Sequence, residues 1–130
     1  MNYVETVREF TLACNDEITD RPQRMSPERI AFIRKMVDDE LDELEQADTI
    51  TKQADALVDA IYYICDCAIK HGMNLDRLFE IVHTANMKKV VNGKVVKRDD
   101  GKIMKPDDWK DPQDDMEREI DRQLRDGAFT

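Results

Sequence analysis

Two glutamates of the second predicted helix, Glu40 and Glu43, occupy positions that are unusual for charged side chains. At 100° per residue, Glu40 falls in the middle of the apolar face of this helix, and Glu43 lies at the edge of the same face. Carboxylates three residues apart on a helix can converge on a single point. The neighbouring acidic residues point progressively outward, with Asp39 nearest to the apolar face. The spacing therefore predicts two converging carboxylates beside a mostly solvated acidic run.

The third predicted helix carries further carboxylates within an almost wholly apolar sequence. Between residues 54 and 69 it contains no Lys or Arg, yet Asp55, Asp59 and Asp66 lie in one narrow stripe, with Tyr62 alongside. A helix that is apolar on nearly every side is surrounded by other helices. Unpaired buried carboxylates would protonate, so a cluster of them implies a compensating cation. That cation is either a basic residue from elsewhere or a bound metal ion.

A polar residue also interrupts the apolar stripe of the fourth predicted helix, where Asn86 is found. A buried amide needs hydrogen-bond partners, and taken alone Asn86 would be interpreted as a structural residue. Its coincidence with inward carboxylates on two other helices favours a shared site. Ligands that are all oxygen atoms favour Mg²⁺ or Mn²⁺ over Zn²⁺. A zinc site at Cys65 and Cys67 is disfavoured because no second Cys or His cluster lies nearby.

The net charge of −9 is distributed unevenly along the chain. Residues 88–105 contain seven basic residues and two acidic ones, a local charge of +5 that leaves −14 for the remainder. An acidic protein with one basic segment does not have the broad basic face of a general nucleic-acid binder. It suits a small phosphate-bearing ligand that is held near metal-binding carboxylates, although a solvated loop would give the same pattern.

The periodicity predicts an all-α fold in one domain that spans residues 1–130. Helices are expected at about residues 4–14, 27–47, 51–70 and 75–90, with Ser26 and Asn74 as N-caps and Gly72 ending the third helix. Two tight turns, at residues 92–93 and 100–101, flank short extended pieces of the basic segment. A short helix after Pro112 is expected to end at Gly127.

The sequence contains no apolar stretch of 18 residues and no apolar segment of a signal peptide at its beginning. We therefore expect a protein without membrane association. An odd number of cysteines, Cys14, Cys65 and Cys67, is interpreted as reduced thiols in the core of a cytoplasmic protein.

Taken in order, these segments resemble the all-α NTP pyrophosphohydrolases of the MazG and phosphoribosyl-ATP pyrophosphohydrolase-like family. Residues 39–44 (DELDEL) resemble the family's EExxEL, and residues 55–62 (DALVDAIY) resemble DALxDxxY. Residues 83–89 (HTANMKK) resemble HxxNMxK, and the basic segment that follows is similar to that of the family, at residues 93–94 and 100–106. An ExxE motif alone is weak, whereas the ordered set is specific and covers nearly the whole chain.

The resemblance implies a four-helix MazG-like bundle with a basic extended segment and a short terminal helix. It also implies Mg²⁺-dependent hydrolysis of a nucleoside triphosphate between the α and β phosphates, with Mn²⁺ as a possible substitute. The metal ligands it implies are Glu40, Glu43, Asp55 and Asp59, where the family's ExxD is replaced by DxxxD because residue 56 is alanine.

The remaining implied roles concern the reaction and the substrate. Asp39 and Glu43 are the expected catalytic carboxylates, although Asp39 stands where the family often has glutamate. The expected substrate-binding residues are Asn86, Lys89, Lys105 and Tyr62. Selection of the base is expected to come from the first helix and from residues 15–25.

Two other interpretations remain open at this stage. A carboxylate-bridged di-iron protein is suggested by Glu80 and His83, which form one ExxH motif, but that class needs two such motifs and the second is missing. A non-catalytic helical module, whose acidic stripes pair with a basic partner, is the second alternative.

The third predicted helix also bears on assembly. One chain of 130 residues offers few helices to cover every face of a helix that is apolar nearly all round. The sequence therefore predicts a homodimer or homotetramer, and the family resemblance implies a nucleotide site at or near the subunit boundary.

Overall fold

A computed structural model describes all residues, 1–130, and its secondary structure is helical apart from two isolated β-bridges. Five helices follow one another: α1 (Tyr3–Cys14), α2 (Pro27–Gln46), α3 (Ile50–Lys70), α4 (Leu75–Met87) and α5 (Gln113–Asp126). The predicted all-α fold is confirmed. Helix α4 ends three residues earlier than expected because the chain tightens there. Lys89 and Val90 donate their backbone N–H groups to the residues three positions back, as in a 3₁₀ turn.

Side-chain caps define where four of the helices begin, since each supplies an acceptor to an otherwise unpaired backbone N–H group. Ser26 accepts from the N–H of Arg29 over 3.2 Å, and Asn74 accepts from that of Asp76 over 3.1 Å, so both predicted caps are confirmed. Asn2 and Thr49 act in the same way at α1 and α3.

Helix α3 is the central element of the fold. It packs along α2 and against α1, whereas α4 packs chiefly against α5. The buried apolar cluster at its heart is small, comprising Val4, Val7, Cys65 and Ile69. As a consequence, one chain leaves part of α3 open to solvent. Ile61 and Ile64, on the apolar side of this helix, are 46% and 47% exposed.

The loop after α1 and the end of the chain are tied to the α3–α4 turn. Gly72, with φ +71°, approaches Arg21 so closely that a Cβ would lie 2.1 Å from its carbonyl oxygen. The fully buried side chain of Gln123 accepts from the backbone N–H of Asn74 over 3.0 Å and donates to its carbonyl oxygen over 3.1 Å. The N–H of Ala128 donates to the carbonyl oxygen of Asp20 over 2.7 Å. Helix α5 and the residues that follow it therefore hold the α3–α4 turn and the loop after α1 in place.

The segment between α4 and α5 is a loop with short extended pieces, as predicted. Antiparallel β-bridges join Val91 to Lys94 and Lys97 to Ile103.

No helix has both the length and the apolar character that are required to cross a bilayer. All three cysteines are free, but Cys14 is exposed, so its assignment to the core was wrong. It lies on the last turn of α1, where no other element covers it in the chain.

Candidate functional site

Glu40, Glu43 and Asp59 bring carboxylate oxygens together between α2 and α3. One oxygen of each residue lies within 4.8 Å of the others. Glu40 and Glu43 come from consecutive turns of α2, and Asp59 comes from the helix that packs along it. Glu40 is buried, Asp59 is half-buried and Glu43 is exposed, so the predicted inward and rim positions are observed. We call these three residues the carboxylate cluster.

The carboxylate cluster carries negative charge that no side chain of the protein compensates. Burial raises the pKa of Glu40 above its ordinary value, and a hydrogen bond with Glu43 and the charges of Glu43, Asp59 and Asp55 raise it further. Burial also raises the pKa of Asp59, with the charges of Asp55 and Glu43 adding to the effect. None of these residues takes part in an ion pair. Oε2 of Glu40 is buried without any hydrogen-bond partner.

This arrangement fits a divalent metal ion. Donors on opposite sides of one Mg²⁺ ion stand about 4.2 Å apart, because each Mg–O distance is about 2.1 Å. The 4.8 Å span of the carboxylate cluster is close to that separation. An ion would also give the unpartnered oxygen of Glu40 the positive partner that it lacks.

The other two acids assigned from the sequence lie outside the carboxylate cluster. Asp55, one turn before Asp59 on α3, is exposed but lies near enough for its charge to raise the pKa of both Glu40 and Asp59. Asp39 pairs with Lys35 over 3.1 Å on the exposed surface of α2. The catalytic role that the family resemblance gives to Asp39 stays a prediction.

A cavity of about 310 Å³ opens beside the carboxylate cluster. Glu40 and Asp59 form part of its wall, and Tyr62 lies in it as well. The rings of Phe10 and Tyr62 meet edge to face, with centroids 5.8 Å apart. Asn15, at the start of the loop, also reaches this cavity. The cavity therefore joins carboxylates to aromatic surface, a combination that suits a ligand with phosphates at one end and a ring at the other.

Asp66 lines the same cavity but does not share the uncompensated charge of its neighbours. Lys70, one turn further along α3, places Nζ 2.9 Å from Oδ2 of Asp66. Thr11 donates from its hydroxyl to Oδ1 over 2.6 Å. The expectation that α3 offers no cation for its carboxylates was therefore wrong for Asp66. The i,i+4 spacing of Asp66 and Lys70 is visible in the sequence and could have revealed the pair.

The residues assigned to phosphate binding lie away from this cavity in the single chain. Lys89 and Lys105 are brought together by Trp109, with Nζ atoms 5.0 Å and 4.9 Å from the centroid of the indole ring. Asn86 is exposed, so the inference that it is a core amide was wrong. The reason is that α4 packs chiefly against α5, which leaves this side of α4 open. None of the three lines the cavity.

No second group of potential metal ligands is present. The carboxylate cluster is the one place where three such side chains converge. Glu80 and His83, the single ExxH motif, are exposed on α4. Cys65 and Cys67 are buried, and burial raises the pKa of both thiols, which disfavours the thiolates that a metal would need. The structure therefore offers no support for the di-iron or zinc alternatives.

Comparison with known proteins identifies the family. Residues 7–86 match the family model described as phosphoribosyl-ATP pyrophosphohydrolase. Among curated proteins, none matches the chain significantly. The matched range contains the whole carboxylate cluster and the cavity residues, and it ends at Asn86, before the basic segment. Because this match covers more than half of the chain, the protein belongs to the phosphoribosyl-ATP pyrophosphohydrolase family of the all-α NTP pyrophosphohydrolase superfamily, whose enzymes are hydrolases of phosphoric anhydrides.

Proposed function

We propose that this protein is a Mg²⁺-dependent nucleoside triphosphate pyrophosphohydrolase that cleaves between the α and β phosphates. The products are a nucleoside monophosphate and pyrophosphate, and one water is consumed. The observation that carries this proposal is the carboxylate cluster, whose oxygens lie within 4.8 Å of one another without a compensating cation. A polyphosphate brings its own negative charge, so it can approach this cluster only with divalent metal bound between them.

The carboxylates of the cluster and those next to it have distinct proposed roles. Glu40, Glu43 and Asp59 would hold Mg²⁺, with Asp55 as the fourth ligand from the preceding turn of α3. When bound, the metal would neutralise phosphate charge and lower the pKa of the attacking water. Mn²⁺, which takes the same oxygen ligands, can replace Mg²⁺. One of the two exposed carboxylates, Asp39 or Glu43, accepts the proton of the attacking water, which places the general base at the exposed rim of the site.

Substrate contacts are proposed at two places. Tyr62 and Phe10 lie in the cavity beside the metal ligands and contact the nucleoside. Asn86, Lys89 and Lys105 bind phosphate oxygens and stabilise the charge of the leaving pyrophosphate. Since these three do not line the cavity of the same chain, they act in a site that a second subunit completes.

A site that a second subunit completes requires an oligomer, and we propose a homodimer or homotetramer. Apolar side chains on the open side of α3, including Leu57, Val58, Ile61 and Ile64, are about half exposed in one chain. An exposed apolar face of this kind is a normal interface between subunits. The cytoplasmic location inferred from the sequence stays a prediction.

The test is a pyrophosphate-release assay with ribo- and deoxyribonucleoside triphosphates, in which phosphoribosyl-ATP is included as a separate substrate. We expect release that depends on Mg²⁺, disappears with a chelator and is lost in the Glu40→Gln variant. Cleavage of phosphoribosyl-ATP alone would overturn the assignment to nucleoside triphosphates. Absence of hydrolysis with every substrate would favour the non-catalytic helical module.

A further inference from the structure

The cavity extends along α3 from the carboxylate cluster to the Asp66–Lys70 pair. Asp59, Tyr62, Asp66 and Lys70 follow one another at steps of three, four and four residues, so they lie on one face of the helix. All four line the cavity. From Asp59 to Asp66 the helix rises about 10 Å, at about 1.5 Å per residue. If the phosphates of a nucleotide lie at the carboxylate cluster, its base therefore lies about 10 Å further along α3, beside the Asp66–Lys70 pair.

The Asp66–Lys70 pair is held in a fixed position. Thr11, which is fully buried, donates to Oδ1 of Asp66, and Lys70 lies 2.9 Å from Oδ2. The side chains of Asp66 and Lys70 are only 21% and 30% exposed, unlike those of most ion pairs in the chain. The carboxylate keeps free lone pairs and the ammonium keeps two free protons. The pair thus presents a hydrogen-bond acceptor and a donor side by side to whatever enters the cavity.

We propose that the Asp66–Lys70 pair reads the base of the nucleotide and favours guanine over adenine. This inference rests on the proposed function, because it requires the phosphates to lie at the carboxylate cluster. Lys70 donates to the O6 carbonyl of guanine, a common lysine contact, while Asp66 accepts from the N–H groups on the adjoining edge. Adenine has no carbonyl oxygen to accept from Lys70 and no N–H group at N1 to donate to Asp66. The rings of Phe10 and Tyr62 supply aromatic surface for the base.

Two variants test the two halves of the pair. Asp66→Asn removes the charge but retains an oxygen that can accept from Thr11, and Lys70→Met removes the donor but retains the length of the side chain. We expect the ratio of kcat/KM for dGTP to that for dATP to fall about tenfold in each variant, since each loses a hydrogen bond to a charged group. The matched control is Asp48→Asn, which breaks the exposed i,i+4 pair with Lys52 and leaves the ratio unchanged.

A binding measurement makes the test independent of catalysis. Calorimetric titration of the protein in Mg²⁺ with dGMP and with dAMP, neither of which contains the bond to be cleaved, is expected to show tighter binding of dGMP, and Asp66→Asn should lose that preference. An unchanged dGTP to dATP ratio in both variants overturns the base-reading role, and so does a parent protein that prefers dATP, while Mg²⁺-dependent hydrolysis survives either result. If the parent cleaves no triphosphate, the proposed function fails, and the calorimetric preference alone decides the inference. Equal binding of the two monophosphates would then overturn it.

Discussion

The indole Nε1 of Trp109 donates a hydrogen bond to the carbonyl oxygen of Ala85 over 2.6 Å. This bond fixes the chain just after the basic segment to the last turn of α4 and places the ring within reach of two ammonium groups, those of Lys89 and Lys105. A lysine ammonium is attracted to the negative face of an aromatic ring at such distances. Trp109 thus brings together two cations that are 16 residues apart in the sequence, and these are the lysines that we propose to bind the phosphates of the substrate.

Lys89→Ala is expected to weaken binding of a triphosphate about tenfold, because it removes a charged donor to the leaving phosphates. Binding of the monophosphate should change little. The measurement is calorimetric titration with a non-hydrolysable triphosphate analogue and with the monophosphate. Lys88→Ala removes an exposed neighbouring charge and serves as the control. An equal loss of affinity for both ligands would remove Lys89 from the leaving-phosphate contact, and Lys105→Ala tests the same role in the loop.

Glu40→Gln and Asp59→Asn are each expected to lower Mg²⁺-dependent turnover by more than about 100-fold, since each removes a metal ligand. The helical circular dichroism signal should stay intact, because both substitutions preserve side-chain size. Glu45→Gln, on the same helix but exposed, is the matched control and should retain activity. A near-normal rate in either variant would exclude that residue as a metal ligand.

Glu40→Gln is also expected to raise the melting temperature of the metal-free protein at neutral pH by a few degrees. The pKa of Glu40 is raised in the folded state, so its contribution to stability is present at low pH and is lost as pH rises through the raised pKa. The neutral amide avoids that loss. Thermal melts in chelator across a pH series should show the advantage shrinking toward acidic pH.

The effect of Mg²⁺ on the melting temperature is expected to differ between the parent and the Glu40→Gln variant. Added Mg²⁺ should raise the melting temperature of the parent and not that of Glu40→Gln, and its effect should weaken in acid because the ligands must be ionised. If the variant melts below the parent in chelator at neutral pH, the carboxylate cluster is not a source of repulsion.

The protein is expected to melt at a temperature that rises with its concentration, because separation of subunits would expose the apolar side of α3. Ile64→Asp, which places a charge on that side, should reduce the mass measured by light scattering to that of one subunit or prevent folding. A stable, active parent monomer of 15.2 kDa at micromolar concentration would contradict the prediction.

The local elements were predictable from the sequence because their signals are local. Ser26 followed by proline favours the start of a helix, and the helical period places Glu40 in the apolar stripe of α2. Together with the period of three to four residues, such signals predicted the helices to within a few positions. The family resemblance implied one set of metal ligands that includes Glu40 and Asp59, and the packing of α3 along α2 brings these two carboxylates together.

The arrangement of α4 was not predictable in the same way. Asn86 lies in an apolar stripe, and the pattern alone cannot say whether that stripe is covered by another helix of the same chain or of a second one.

The role of Lys70 was not predicted for a different reason. The stretch of α3 without Lys or Arg ends at residue 69, whereas an ion pair on a helix joins residues one turn apart, so the partner of Asp66 lies just beyond that stretch.

The hydrogen bonds that Gln123 makes to both sides of Asn74 have a consequence for local opening of the protein. Ala128 is 1% exposed, and its N–H is bonded to the carbonyl oxygen of Asp20. The side-chain amide of Asn74 donates to the carbonyl oxygen of Ala128 over 3.0 Å, so opening at Ala128 breaks bonds to both the α3–α4 turn and the loop after α1. Amide hydrogen exchange at Asn74 and Ala128 should therefore proceed at one common, slow rate.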